Sequence, residues 1–111
     1  MKVVGRIPEK SLAVGALARL SVPPYDVVIA RTEHGVFALD NACNHAGASM
    51  ADGWIQGACL ICPVHQYAFE LATGALVRPK GLCAPQRTFT VRREGDDLVV
   101  YDPFQLKLVG V

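Results

Sequence analysis

Four side chains near the middle of the chain are of types that hold metal: Cys43 and His45 in "CNHAG", and Cys62 and His65 in "CPVHQ". Sixteen residues separate His45 from Cys62. Cys-x-His and Cys-x-x-His each let a short loop turn a thiol and an imidazole toward one point. Two soft thiolates with two imidazoles suit a tetrahedral zinc. They equally suit a two-iron cluster in which two histidines replace two cysteines on one of the irons. In a common zinc finger the cysteines form one pair and the histidines the other. Here each pair is mixed, so two facing loops can give both thiolates to one iron and both imidazoles to the other.

Such ligands need a rigid support, and the rest of the chain reads as short strands. "ARLSV", "VVIAR" and "VFALD" are strand-like, with "PPYD" and "TEHG" as turns and Gly35 at the second bend. "YAFEL" and "ALVR" flank "ATG", and "RTFTVRR" and "DLVVY" flank "EGD", which predicts two further hairpins. Helical periodicity does not persist beyond a turn or two. Short strands at this spacing predict an all-β fold, an antiparallel sandwich or barrel, in a single domain over residues 1–111. The stretch from Asn41 to Pro63 and the proline-bracketed "RPKGLCAP" break the strand rhythm. The site candidates therefore lie in irregular loops on a β scaffold, where binding sites are commonly built.

Composition narrows the function. Hydrophobic residues make up 51% and charged residues 19% of the 111, which supports a packed core without disulfide staples. A net charge of +1 argues against nucleic acid or an anionic membrane as partner. The run Leu12 to Ala18 follows basic residues as a signal peptide would, but Arg19 ends it early. No apolar stretch approaches the roughly 20 residues needed to span a bilayer, so a cytoplasmic, membrane-free protein is expected. The sequence offers no Ser/His/Asp set, phosphate loop or paired catalytic carboxylates, which predicts an accessory component rather than a catalyst.

The metal-type pairs and their flanks together resemble the Rieske proteins, whose ligands are Cys-x-His and Cys-x-x-His. "VFALDNACNHAGASMADGWIQG" is similar to the first cluster loop with its preceding strand, and "LICPVHQYAFELATGALVRP" to the second loop and its hairpin. The likeness runs from about Lys2 to Tyr101. It implies one [2Fe–2S] cluster per chain, with Cys43 and Cys62 on the inner iron and His45 and His65 on the outer one. It also implies a small cluster-binding subdomain of loops over about residues 41–84. High-potential members carry an extra cysteine in each loop, joined as a disulfide. Ala48 and Val64 stand at those positions, so the bridge cannot form here. Tyr67 and Phe69 stand where those members place a serine and a tyrosine that donate to cluster sulfur. The resemblance thus implies a potential near the low end of the Rieske range, about −150 mV.

The implied function is one-electron carriage by a monomeric ferredoxin. It would run from an NAD(P)H-dependent flavoprotein reductase to a terminal oxygenase, through transient contacts. A small subunit of an NAD(P)H-dependent nitrite reductase is the alternative, and a zinc-binding interaction module a distant third. Of the remaining candidates, Cys59 is read as a core residue on the strand entering the second loop, and Cys83 as a packed thiol in the proline loop. His34 is read as a solvated turn residue, Trp54 as a packing anchor for the first loop, and Arg92 and Arg93 as a solvated strand end. The expected docking surface joins Asn44 to Ala48, Val64 to Tyr67, and Pro79 to Ala84.

Overall fold

The computed structural model describes residues 1–44, 47–79 and 83–104. Within them lie ten strands and two single 3-10 turns, at Glu9–Ser11 and Met50–Asp52. No helix among the described residues is long and apolar enough to cross a membrane.

Six strands make one antiparallel sheet: β1 (Lys2–Pro8), β2 (Leu17–Val22), β3 (Tyr25–Thr32), β4 (Gly35–Asp40), β9 (Thr88–Glu94) and β10 (Asp97–Asp102), in the order β1-β10-β9-β4-β3-β2. The edge strands approach each other to give a near-barrel. A Cβ on Gly5 of β1 would lie 3.1 Å from the Leu20 side chain of β2. The remaining strands, β5 (Trp54–Gln56), β6 (Cys59–Ile61), β7 (Ala68–Glu70) and β8 (Leu76–Arg78), form a separate four-stranded antiparallel sheet. This small sheet is inserted between β4 and β9, which pair directly through Ala38–Phe89 and Leu39–Thr88. The all-β expectation and the three hairpins are borne out.

Strand β3 explains how the two sheets are joined. Val27, Val28, Ile29 and Ala30 are all fully buried, so this strand has no solvent face. Successive side chains in a strand point to opposite sides. Val27 and Ile29 accordingly pack with Val4, Leu12, Ala38, Phe89, Leu98 and Val100 inside the large sheet. Val28 and Ala30 pack on the other side, with Leu39, Met50, Leu60, Phe69 and Leu71. That second core also contains Cys43, Cys62 and Tyr67. The back of the β3–β4 hairpin is therefore the floor on which the thiols sit. Apolar burial is worth roughly 1.5–3 kcal/mol per large side chain, so this floor anchors the inserted sheet strongly.

Candidate metal centre

The two Cys/His segments are closed at their bases in the same way. In the first, the Cys43 N–H donates to the Ala48 carbonyl at 2.9 Å. In the second, the Cys62 N–H donates to the Tyr67 carbonyl at 2.8 Å. Each is a six-residue loop with its cysteine first, closed at its base by the same kind of backbone bond. Each also caps a strand pair: the bridge Ala42–Ser49 lies below the first, and Ile61–Ala68 of the β6–β7 ladder below the second.

Placing a cysteine at the start of each loop puts it at the mouth of the core. Cys43 is 3% exposed and Cys62 fully buried, and both belong to the same apolar core. Burial pushes the Cys62 thiol up to about 11; a hydrogen bond from the Val64 N–H opposes this, and Cys43 adds to it. A thiol buried in an apolar site ionises readily only when a cation shares the site. The donor chemistry here thus fits a metal group. Farther out, His65 and Gln66 adopt left-handed backbone, with φ of 60° and 55°. That conformation is uncommon outside glycine and concentrates at functional sites. It reverses the chain so that Pro63 to Gln66 are exposed while Tyr67 turns back into the core.

His45 lies outside the described residues, as do Ala46 and residues 80–82 of the proline loop. Among the described residues, no three His, Cys, Asp or Glu side chains gather tightly enough to hold a metal ion. The structure brings Cys43 and Cys62 together and sets His65 at the exposed rim.

The other expectations meet mixed outcomes. Cys59 is half-buried in β6, opposite Glu70, and Cys83 is half-buried against the core that holds Cys43 and Cys62. His34 is exposed in its turn, where its N–H donates to the Thr32 hydroxyl. Arg92 and Arg93 are exposed. Trp54 is no buried anchor: it is 42% exposed, because the alternation of β5 sends Ile55 inward and Trp54 outward. Tyr67 leaves the expected docking surface too, at 8% exposed, because the chain reversal at His65 and Gln66 turns it into the core.

Two polar residues that the sequence did not single out support the first loop. Asn41, 1% exposed, donates to the Ser49 hydroxyl at 2.9 Å and accepts the Ala51 N–H at 2.9 Å. Gln86, 2% exposed, donates to the carbonyls of Asp40 and Ala42 and accepts the Asn44 N–H. Neither offers a motif: Gln86 bonds backbone atoms, and Asn41 bonds Asp26, Ser49 and the Ala51 N–H, at no characteristic spacing.

A family model for the Rieske [2Fe-2S] domain matches residues 3–90. The chain belongs to the Rieske [2Fe-2S] domain family. The ferredoxin component of the naphthalene 1,2-dioxygenase system of Pseudomonas aeruginosa is 31% identical over 90 residues, covering 78% of this chain and 82% of that protein. Among solved structures, the ferredoxin of carbazole 1,9a-dioxygenase from Nocardioides aromaticivorans IC177 superposes with a TM-score of 0.81 at 25% identity. The match covers 91% of this chain and 98% of that one. A protein described as an NADH-dependent nitrite reductase small subunit from Mycobacterium tuberculosis shares the fold, with a TM-score of 0.74 at 18% identity over 89% of this chain and 91% of its own. The cofactor of this Rieske chain is a [2Fe–2S] cluster, and electron carriage is the function it shares with its ferredoxin relatives.

Proposed function

We propose that the chain is a low-potential Rieske ferredoxin that accepts single electrons from an NAD(P)H-dependent flavoprotein reductase and delivers them to a terminal oxygenase. The observation that carries this reading is the buried Cys43–Cys62 thiol pair beneath two loops closed alike at their bases, one of which presents His65 at an exposed tip. When bound, a [2Fe–2S] cluster supplies a one-electron couple. In this reading Cys43 and Cys62 would hold one iron, and His45 and His65 the other. The apolar floor under the thiols excludes water. The Val64 N–H stabilises the Cys62 thiolate. Phe69, fully buried where high-potential members carry a tyrosine, supports a potential near the low end of the family range.

The relatives' role in dioxygenase systems supports an oxygenase as acceptor. The nitrite-reductase reading is less well supported, since that likeness is one of fold at 18% identity. The chain works in the cytoplasm as a monomer, and it meets partners through a small, transient contact over the loop tips. The residues from about 41 to 84 act as its cluster-binding subdomain.

Purified protein should be red-brown, with about two irons and two labile sulfides per chain. Stopped-flow mixing with candidate flavoprotein reductases should then bleach it. One tightly held zinc and no visible absorption in freshly isolated protein would overturn the reading.

A further inference from the structure

A single buried amide joins the first cluster loop to the rest of the site. Gln86 donates from Nε2 to the carbonyls of Asp40 and Ala42, at 2.9 Å each. Its Oε1 accepts the Asn44 N–H at 2.7 Å. Asn44 stands between Cys43 and His45 and answers in kind: its Nδ2 donates to the carbonyls of Pro85 at 2.6 Å and Ala84 at 3.1 Å. Each side chain thus bonds the backbone of the other's segment. A third piece is attached through the Gln86 N–H, which donates to the Gly74 carbonyl, at 2.8 Å, between β7 and β8.

These contacts are unusual for a loop support. Gln86 is 2% exposed, and its side chain bonds, among the described residues, to Asp40, Ala42 and Asn44, a stretch that contains Cys43. An apolar residue of similar size would fill the same space. It would also leave the Asn44 N–H and two carbonyls without the partner that holds them in place, and each lost hydrogen bond costs stability.

We propose that Gln86 and Asn44 form a positioning clamp, which holds the first loop in its cluster-ready shape whether or not a cluster is bound and so sets how slowly the cluster is lost. This rests on the cluster reading of the site. Neither side chain touches the electron couple. The clamp acts through the Cys43–Asn44 backbone.

The test uses the full chain, with Gln86→Met, Gln86→Glu and Asn44→Ala, and with Leu98→Ala in the other core as a control for general destabilisation. Two quantities are read: the rate of loss of visible absorbance in excess chelator, and amide-exchange protection at Asn44 in apoprotein. Gln86→Met should lose the cluster about tenfold faster than wild type, the factor expected for a hydrogen bond worth ~1.4 kcal/mol, and Asn44→Ala, whose bonds are exposed, should lose it faster than wild type by a smaller factor. Gln86→Met should also lose protection at Asn44. Gln86→Glu supplies a readout that a purely structural role would not move. Its neutral carboxyl can donate to one carbonyl and accept from Asn44, whereas its carboxylate can only accept. The excess loss rate of Gln86→Glu over wild type should therefore shrink as pH falls from 8 toward 5, while that of Gln86→Met stays constant.

The clamp is overturned if Gln86→Met and Asn44→Ala match wild type, or if Leu98→Ala of equal melting temperature loses its cluster equally fast. It is also overturned if the Gln86→Glu excess shows no pH dependence. If Gln86→Met does not fold, Asn44→Ala, altered at an exposed position, decides. Absence of iron and sulfide from wild type would instead remove the cluster reading, and Asn44 protection in the variants would then uphold or sink the clamp by itself.

Discussion

Serine at Cys43 or Cys62 exchanges a soft thiolate for a weakly acidic hydroxyl in a buried site. Either change should abolish or badly destabilise the cluster, whereas Cys59→Ser and Cys83→Ser should keep it with a modest loss of packing. Iron and sulfide content beside the visible spectrum checks this, and bleaching of folded Cys59→Ser would show the ligand assignment to be wrong. At the rim, a bulky or charged residue in place of Gln66 should slow electron exchange with partners in stopped-flow while leaving the spectrum nearly unchanged. Glu94→Gln on the far hairpin is the control. At this scale the sequence was legible where chemistry depends on residue type and short spacing, as in the two Cys/His pairs. It was silent on Asn41 and Gln86, because a buried amide and a solvated one look alike until their partners are known. Gln86 sits between Pro85 and Arg87, where a turn residue would be equally at home.

The elements carry a different kind of constraint. Gly74 has φ of 77°, and a Cβ there would fall 2.0 Å from the Gln86 carbonyl oxygen. Gly74→Ala adds left-handed strain to a backbone collision, and it should cost about 3 kcal/mol. For a domain of this size that lowers the melting temperature by roughly 10–20 °C, readable by calorimetry. Gly57→Ala (φ 61°, nothing within 4 Å) pays the strain without the collision and should cost less. The hairpins were legible because β-alternation and turn residues are local signals. Strand β1 was not recognised: Gly5 and Pro8 interrupt its pattern, and its register on β10 shifts between Val3 and Gly5. Three-residue β5 gives alternation too little length to show which side Trp54 faces.

For the molecule as a whole, acid stability follows from its carboxylates. Burial would raise the Asp102 carboxyl, but hydrogen bonds from Tyr25, the Phe104 N–H and Arg87 outweigh it and hold it below the usual range. Asp26 is held low by Arg19, against its burial. A depressed carboxyl stabilises the fold fully above its ordinary value of about 3.9, and that stability is lost as pH falls through the folded value. Asp40 runs the other way, raised by burial. The melting temperature should therefore hold down to about pH 5 and drop below about pH 4. Asp102→Asn should weaken that drop and lower stability at neutral pH. Asp102 matters more than Asp26, because the Arg19–Asp26 pair is open to solvent and screened.

The pairing of β1 with β10 joins Lys2 to Asp102, almost the whole described length of the chain. On a ribosome adding about 5–20 residues per second, β1 is made some 5–20 s before its neighbour exists. During that wait its row of N–H and C=O groups stays open to any passing strand. The protein thus has a window of vulnerability set by translation, and slow codons between residues 9 and 97 would lengthen it without altering a single atom of the finished fold.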